Sequence, residues 1–409
     1  MQKIVINSSN LLNAKSDIFQ LPMTFLLNSQ NVCDYLARHN LCSPSETNQI
    51  DIELKSAKNF NLLLTLPNHQ KLLVKQERHN HEGKASGEFL SEWRIQEFVQ
   101  KFPELNHLRP SLPEILHYDA ENSILVARYL DDYQDLIEFY TKEKIFDSKI
   151  AAAIGNFLAN IHRHTFNHQE YQAFFSVGSD DSYTEQVRRM VQYLEIIEPE
   201  IFGLVPADGL KFFALYQRFD SLGTALKDLS NAVIPCCLTH NDLKLNNILA
   251  HQNWQQSTNN IIRIIDWERS AWGDPAFDLG TLISSYVQLW LGSLVISKSL
   301  SLEESLSLAM TPLEKLQPSI ATLTQVYLQT FPEILKHRPD FLLRVMQFTG
   351  FALIQGIQAM IQYQKSFGNT GIAMLQVAKS LLCRPEQSIP TIFGAIGTSE
   401  LIQQTALTA

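Results

Sequence analysis

The feature that most constrains this chain is a change of hydrophobic period near residue 130. Before it, short apolar runs alternate with turn residues. Phe60 to Leu66 is a compact apolar run, Pro67-Asn68-His69-Gln70 supplies a turn, and Lys71 to Glu77 reads as the returning strand of a hairpin. Ile115 to Tyr118 and Ser123 to Leu130 read as two more strands joined by Asp119-Ala120-Glu121-Asn122. Between the pairs, Phe89, Trp93, Phe98 and Val99 recur at helical spacing over Glu88 to Phe102. After residue 130 the period lengthens. Ile150, Ile154, Phe157, Leu158 and Ile161 share one helical face, and Leu210 to Leu229 and Phe341 to Tyr363 also read as helix. The exception is Asp242 to Asp266, where apolar runs at Asn247 to Ala250 and Ile261 to Ile265 flank a polar turn.

A sheet-rich first third and a helical remainder with one embedded hairpin predict an α+β protein in two lobes. At 409 residues the chain exceeds what one hydrophobic core comfortably holds. The expected division is an N-lobe over residues 1–130 and a helical C-lobe over residues 131–409. The N-lobe would carry an N-terminal extension over residues 1–45, with a short helix at Asn31 to His39.

A formal net charge of −9 argues against a nucleic-acid partner, which requires a basic footprint. Five cysteines, with no C-x-x-C pair and with Cys236 and Cys237 adjacent, read as free thiols of a reducing cytosol. The apolar run at Pro22 to Leu27 is too short for a signal peptide, and Thr281 to Ile296 is too polar for a membrane span. The expectation is a cytoplasmic protein with no membrane partner.

The segment that carries chemistry is His240-Asn241-Asp242-Leu243-Lys244-Leu245-Asn246-Asn247. It is followed by Ile265-Asp266-Trp267-Glu268 and Gly273-Asp274-Pro275-Ala276-Phe277-Asp278-Leu279. Phosphoryl transfer from ATP to a hydroxyl needs a carboxylate to accept the proton, oxygen ligands for magnesium, and a cation near the phosphates. Asp242 supplies the base, and Asn247 and Asp266 supply hard oxygen ligands suited to Mg2+. If the two apolar runs form a hairpin, Asn247 and Asp266 come to the same end.

These three motifs, in this order and spacing, resemble the aminoglycoside phosphotransferase and choline kinase-like superfamily, which has the protein-kinase-like fold. The resemblance is strongest over roughly residues 230–285 and weaker over residues 50–165. It implies a small antiparallel-sheet N-lobe, a larger helical C-lobe, and ATP between them. By motif match Asp242 is the catalytic base, Asn247 and Asp266 bind Mg2+, and His240 and Asp278 support the catalytic loop. Lys75, closing Leu72-Leu73-Val74-Lys75, matches the phosphate-contacting lysine. Glu92 is its expected carboxylate partner, with Glu88 in reserve. Lys244 occupies the position of a lysine that touches the transferred phosphate, against the alternative of a solvated loop lysine. Tyr129 and Leu130 fall in the hinge whose backbone would bind adenine.

The chain departs from the pattern at Lys55-Ser56-Ala57-Lys58-Asn59, a turn without glycine where phosphates would be covered. Glu268 is read as either a contact to a cationic acceptor or a structural residue. Trp267, Trp272 and Trp290 are expected in the core rather than around an acceptor. His162, His164 and His168 read as ordinary helix-end histidines rather than a metal site. Gly273 follows Asp266 too closely for a peptide-docking segment, so a small-molecule hydroxyl acceptor is expected: aminoglycoside-, choline- or sugar-like. Two alternatives stay open, a nucleotide-binding pseudokinase and nucleotidyl transfer on the same fold.

Overall fold

A computed structural model describes residues 25–55, 58–79, 85–176, 183–195, 205–297 and 299–408. Most of the expected N-terminal extension, the start of the Pro22 to Leu27 run, Ser56 and Ala57 of the glycine-free turn, and residues 80–84 lie outside the described residues.

The strands are β1 (Asp51–Lys55), β2 (Phe60–Thr65), β3 (Lys71–Gln76), β4 (Ile115–Asp119) and β5 (Ile124–Arg128). They form one antiparallel sheet in the order β1-β2-β3-β5-β4. Successive strand residues face opposite ways. Along β3, Leu72, Val74 and Gln76 therefore point to one side and Lys71, Leu73 and Lys75 to the other. On the first side Leu62, Leu64, Leu72, Val74, Ile124 and Val126 pack against Leu27 and the Val32–Arg38 helix. Gln76 clamps that segment: its Oε1 accepts from Leu27 N at 2.8 Å and its Nε2 donates to Phe25 O at 2.7 Å.

On the second side Ile115, Leu125 and Ala127 pack against Phe89 of the Glu88–Lys101 helix. That helix is started by two devices. Gly87 takes a left-handed φ of 82°, which a side chain would disfavour. Buried Glu77 accepts from Gly87 N at 2.9 Å, Phe89 N at 2.5 Å and Ser86 Oγ at 3.0 Å. A carboxylate at a helix N-terminus satisfies orphan donors and meets the positive end of the dipole.

The rest is mostly helical. The Ser148–Thr165 helix packs on Leu313–Thr330, and Pro275–Gly292 packs on Phe341–Ala359, which in turn packs on Asn369–Cys383. These helices share one apolar core. Two small sheets lie on it. One has the order β6-β8-β9, with β6 (Tyr133–Asp135), β8 (Ile248–His251) and β9 (Ile262–Ile264). The other pairs β7 (Cys237–Thr239) with β10 (Ala271–Gly273). The expected helix over Leu210 to Leu229 is two helices, Ala207–Tyr216 and Asp220–Asn231. Phe219 between them leaves the helical region, and its ring takes the Lys379 ammonium 3.4 Å from the centroid. No glycine or proline stands at the break, so the local period does not report it.

Beneath the two sheets, Asp274 caps the Pro275–Gly292 helix through Ala276 N at 3.0 Å and accepts from Ile234 N at 3.0 Å. The buried Arg338 guanidinium binds both of its oxygens, at 2.5 and 2.6 Å, and donates to Ala232 O at 2.7 Å. Removing one partner strands the other charge away from water. Arg338→Met should therefore lower unfolding free energy by about 3–5 kcal/mol in urea denaturation. A loss below about 1 kcal/mol would show that Asp274 is adequately satisfied by backbone alone.

Candidate active site

The site is assembled around one carboxylate. Asp278, fully buried on the first turns of the Pro275–Gly292 helix, accepts from His240 N and Asn241 N, each at 2.7 Å. Asn241 is thereby held at φ 62°. Left-handed backbone is costly for most residues, but Asn and Asp tolerate it best. Its side chain completes the bend, donating to Arg269 O at 3.0 Å and accepting from Thr239 Oγ1 at 2.8 Å. β10 must pass close to this turn. A Cβ on Gly273 would sit 2.2 Å from Thr239 Oγ1, so only glycine fits there.

The bend projects Asp242 from the loop. Its N–H donates to His240 Nδ1 at 3.3 Å, and His240 Nε2–H donates to Ile265 O at 2.9 Å, which links the loop to the residue before Asp266. Asn247 Nδ2 donates to Asp242 O at 2.8 Å, and Asn247 O accepts from Ile265 N at 2.9 Å. So the hairpin of β8 and β9 does bring Asn247 and Asp266 to one end, beside the Asp242 loop. Asp266 itself takes φ 69° and ψ 53°, a second left-handed Asp/Asn at the same place. With Asn247 Nδ2 spent inward, its Oδ1 accepts only a 3.3 Å contact from Asn246 and is the end available to an ion. A carboxylate and an amide oxygen are hard ligands, so this donor set fits Mg2+.

Two cations flank Asp242. Lys244 Nζ lies 2.9 Å from Oδ1, and Arg269 Nη1 lies 4.0 Å from the same oxygen. Both side chains are largely exposed, so neither pair counts for much in stability. Their position beside Asp242 is the point.

Across the cleft, Lys75 leaves the sheet on its second face and meets Glu92 at 3.5 Å. Glu92 is the partner. Glu88, the reserve, instead binds Lys58. Burial pulls the Lys75 ammonium down, but Glu92 and then Asp266 hold it above its ordinary value. The charge is therefore kept, and Asp266 of the large lobe is close enough to help keep it. Glu268 is nearly enclosed and lies 3.9 Å from Lys58. Burial, then Asp266 and Glu88, push its carboxyl up to about 7, against the pull of Lys58 and Arg269.

At the hinge, Tyr129 N–H donates to Lys71 O at 2.9 Å, and Leu130 O accepts from Tyr133 N at 3.1 Å. Trp267 and Trp272 are buried, Trp267 with its Nε1–H on Ile264 O at 3.0 Å, and Trp290 is half-buried.

His162 lies in the last turn of the Ser148–Thr165 helix, as expected, and is fully buried there, with Nε2 3.3 Å from Asp278 Oδ2 and Nδ1 2.9 Å from the Tyr327 hydroxyl. With Nε2–H on the carboxylate, Nδ1 accepts from Tyr327, whose proton burial holds well above the usual tyrosine range. A helix-face position, four residues after Leu158 and one after Ile161, was the available signal. His164 Nδ1–H donates to Asn160 O at 2.7 Å, and His168 stacks on Tyr171 with ring centroids 3.6 Å apart.

With this geometry in place, residues 59–298 match the family described as the phosphotransferase enzyme family. The chain belongs to that family. The match spans Lys75, Glu92, Asp242, Asn247 and Asp266. No curated protein sequence matches the chain. Among solved structures, it is similar to an ethanolamine kinase of Plasmodium vivax, at 16% identity and a TM-score of 0.53, over 87% of this chain and 90% of that one. A choline/ethanolamine kinase family protein from Mesorhizobium loti aligns at 16% identity and TM-score 0.47, over 93% and 99%. An ADP-bound aminoglycoside phosphotransferase aligns at 13% and 0.45, over 87% and 99%. At such identities the likeness concerns the fold, which is α+β, bilobal and protein-kinase-like. No described helix of this phosphotransferase-family chain is long and apolar enough to cross a membrane.

If Asp278 holds the loop bend, Asp278→Asn keeps one oxygen as acceptor but sets its amide N–H2 against the other backbone donor, which costs about 1–3 kcal/mol when orphaned. Hydrogen exchange at His240 and Asn241 should accelerate selectively. Unchanged protection at those two amides would show that the bend persists without the carboxylate.

Proposed function

We propose that the chain transfers the γ-phosphoryl group of ATP to a hydroxyl of a small molecule. One observation carries the reading: the Asp242–Asn247–Asp266 cluster of the large lobe faces the buried Lys75–Glu92 pair of the small lobe, with Asp266 near enough to bias Lys75. Opposed carboxylates and a fixed ammonium across a cleft fit a polyphosphate with its counter-ion better than any neutral ligand.

In this reading the adenine sits at the hinge. Tyr129 N–H is already spent on Lys71 O, so Leu130 provides the backbone donor. Lys75 grips phosphate oxygens and Glu92 fixes its direction. Asn247 and Asp266 would hold Mg2+, which when bound neutralises charge on the phosphates. The acceptor hydroxyl approaches Asp242, which takes its proton as the oxygen attacks phosphorus. Lys244 and Arg269, flanking the base, steady the negative charge on the transferring group.

The acceptor's size follows from what separates Asp266 from the Pro275–Gly292 helix. That interval is one short helical turn at Trp267–Arg269 and the strand β10, paired to β7. It leaves no extended segment on which a peptide could dock. The choline/ethanolamine and aminoglycoside kinases among the similar structures support a small acceptor. A screen of amino alcohols, aminoglycosides and sugars, with products weighed by mass spectrometry, separates phosphoryl from nucleotidyl transfer.

Asp242→Ala should lower turnover by about 10²–10⁴-fold while ATP still binds; turnover within tenfold of wild type would falsify the assignment of the base. Asp266→Ala should abolish the dependence of nucleotide affinity on Mg2+. Equal affinities with and without Mg2+ in the wild-type chain, or an unchanged difference in the variant, would count against the metal site.

A further inference from the structure

The turn between β1 and β2 has no glycine, and Lys58 ends it just before β2. Its ammonium pairs with Glu88, in the first turn of the Glu88–Lys101 helix, and stands 3.9 Å from Glu268, two residues past Asp266. A cation of the small lobe thus reaches a carboxylate of the large lobe, beside the cluster that would face the phosphates.

This arrangement is not a settled structural ion pair. The lysine side chain is 58% exposed, whereas Glu88 is 21% and Glu268 10% exposed. The carboxylates are therefore fixed, and the cation comes in from solvent on a flexible stem. The pairing is also incomplete, because Glu88 Oε2 is buried with no hydrogen-bond partner. On β2, Asn61 stands opposite Lys75 in register, so both share the cleft face, and its buried Oδ1 is unpartnered too. Finally, backbone amides without a close-approaching glycine cradle phosphates poorly. A site built for phosphates on this turn needs a side-chain charge in place of those amides.

We propose that Lys58 is a phosphate-binding residue of the nucleotide site, replacing the glycine-rich turn with a side-chain cation. Glu88 and Glu268 hold it until a nucleotide's phosphates take their place. The inference rests on the kinase reading above and names a further residue of that site. The step is an exchange of ion-pair partners in which no covalent bond changes. Lys58 lends its charge to phosphate oxygens as its contact with Glu88 opens. Glu88 and the phosphates therefore compete for one ammonium.

Competition gives the two partners opposite signs, which a scaffold role does not. Isothermal titration with Mg·ATP and with adenosine tests this on the full chain, with melting curves to show that each variant is folded. Lys58→Gln should weaken Mg·ATP about tenfold, the worth of one charge-assisted hydrogen bond, and leave adenosine unchanged. Glu88→Gln should tighten Mg·ATP severalfold. If both variants weaken Mg·ATP, or Lys58→Gln weakens adenosine equally, the pair is scaffold and the proposal is overturned. It is overturned as well if the wild type binds Mg·ATP and both variants match it. A folded wild type that binds no Mg·ATP would instead sink the kinase reading, and this one with it.

Discussion

The geometry of the site depends on a buried carboxylate meeting two backbone N–H groups. Asp278 accepts from His240 and Asn241, and this fixes a left-handed turn that aims Asp242 out of the large lobe. A charged acceptor in a dry interior is strong only if the rest of its surroundings is satisfied. Here His162 meets it from a second helix, and Tyr327 of a third helix holds His162 in turn. The loop is therefore positioned by three helices at once, and its register is set from within the core rather than from the surface. Asp274, one turn earlier at the start of the same helix, does the equivalent job for the segment leading into β7: it accepts from Ile234 N and binds Arg338, which donates to Ala232 O. The motif Gly273 to Leu279 is a support structure, and Asp242 is what it supports.

Opposed to this rigid floor is a lighter upper jaw. The five-stranded sheet has one face closed by the Val32–Arg38 helix and the segment clamped by Gln76. Its other face divides between Phe89 and the cleft. The strand period alone sends Lys75 to the cleft side, and Glu77 starts the helix that brings Glu92 opposite it. Burying an ammonium beside one carboxylate leaves little net gain, because desolvation offsets attraction. Against that burial, Glu92 first and Asp266 second hold the lysine above its ordinary value, so its charge is kept.

Much of this was legible in the sequence, for identifiable reasons. The hairpin of β2 and β3, the helix bearing Glu92, and the pair β4 and β5 all carry runs long enough to show a period, and each appears within a few residues of its expected place. The motif spacing from Asp242 to Asp266 likewise encoded a hairpin that closes on itself. What could not be read were features set by distant contacts. The three-residue strands β6, β7 and β10 are too short to carry periodicity. The break at Phe219, where the backbone leaves the helical region, has no glycine or proline to mark it. His162 gave a polar residue on an apolar face, but its partners lie over a hundred positions away in the chain.

The charge pattern around the cleft extends the same logic to ligand choice. Glu88, Glu92, Asp266, Glu268 and Asp242 line a small volume, each facing at least one of Lys58, Lys75, Lys244 and Arg269 or a neighbouring carboxylate. Such a volume is nearly balanced, so it neither attracts nor repels a neutral molecule strongly. On the proposed reading, a polyphosphate with its divalent cation would draw Lys58, Lys244 and Arg269 toward the phosphates and Asp266 toward the metal, while Glu92 keeps its hold on Lys75. The cost of opening existing ion pairs is low because the cations at the rim are already solvated. The gain is large because the new partners carry several charges each. On the proposed reading, a cleft lined with paired opposite charges would suit a ligand that itself carries both signs.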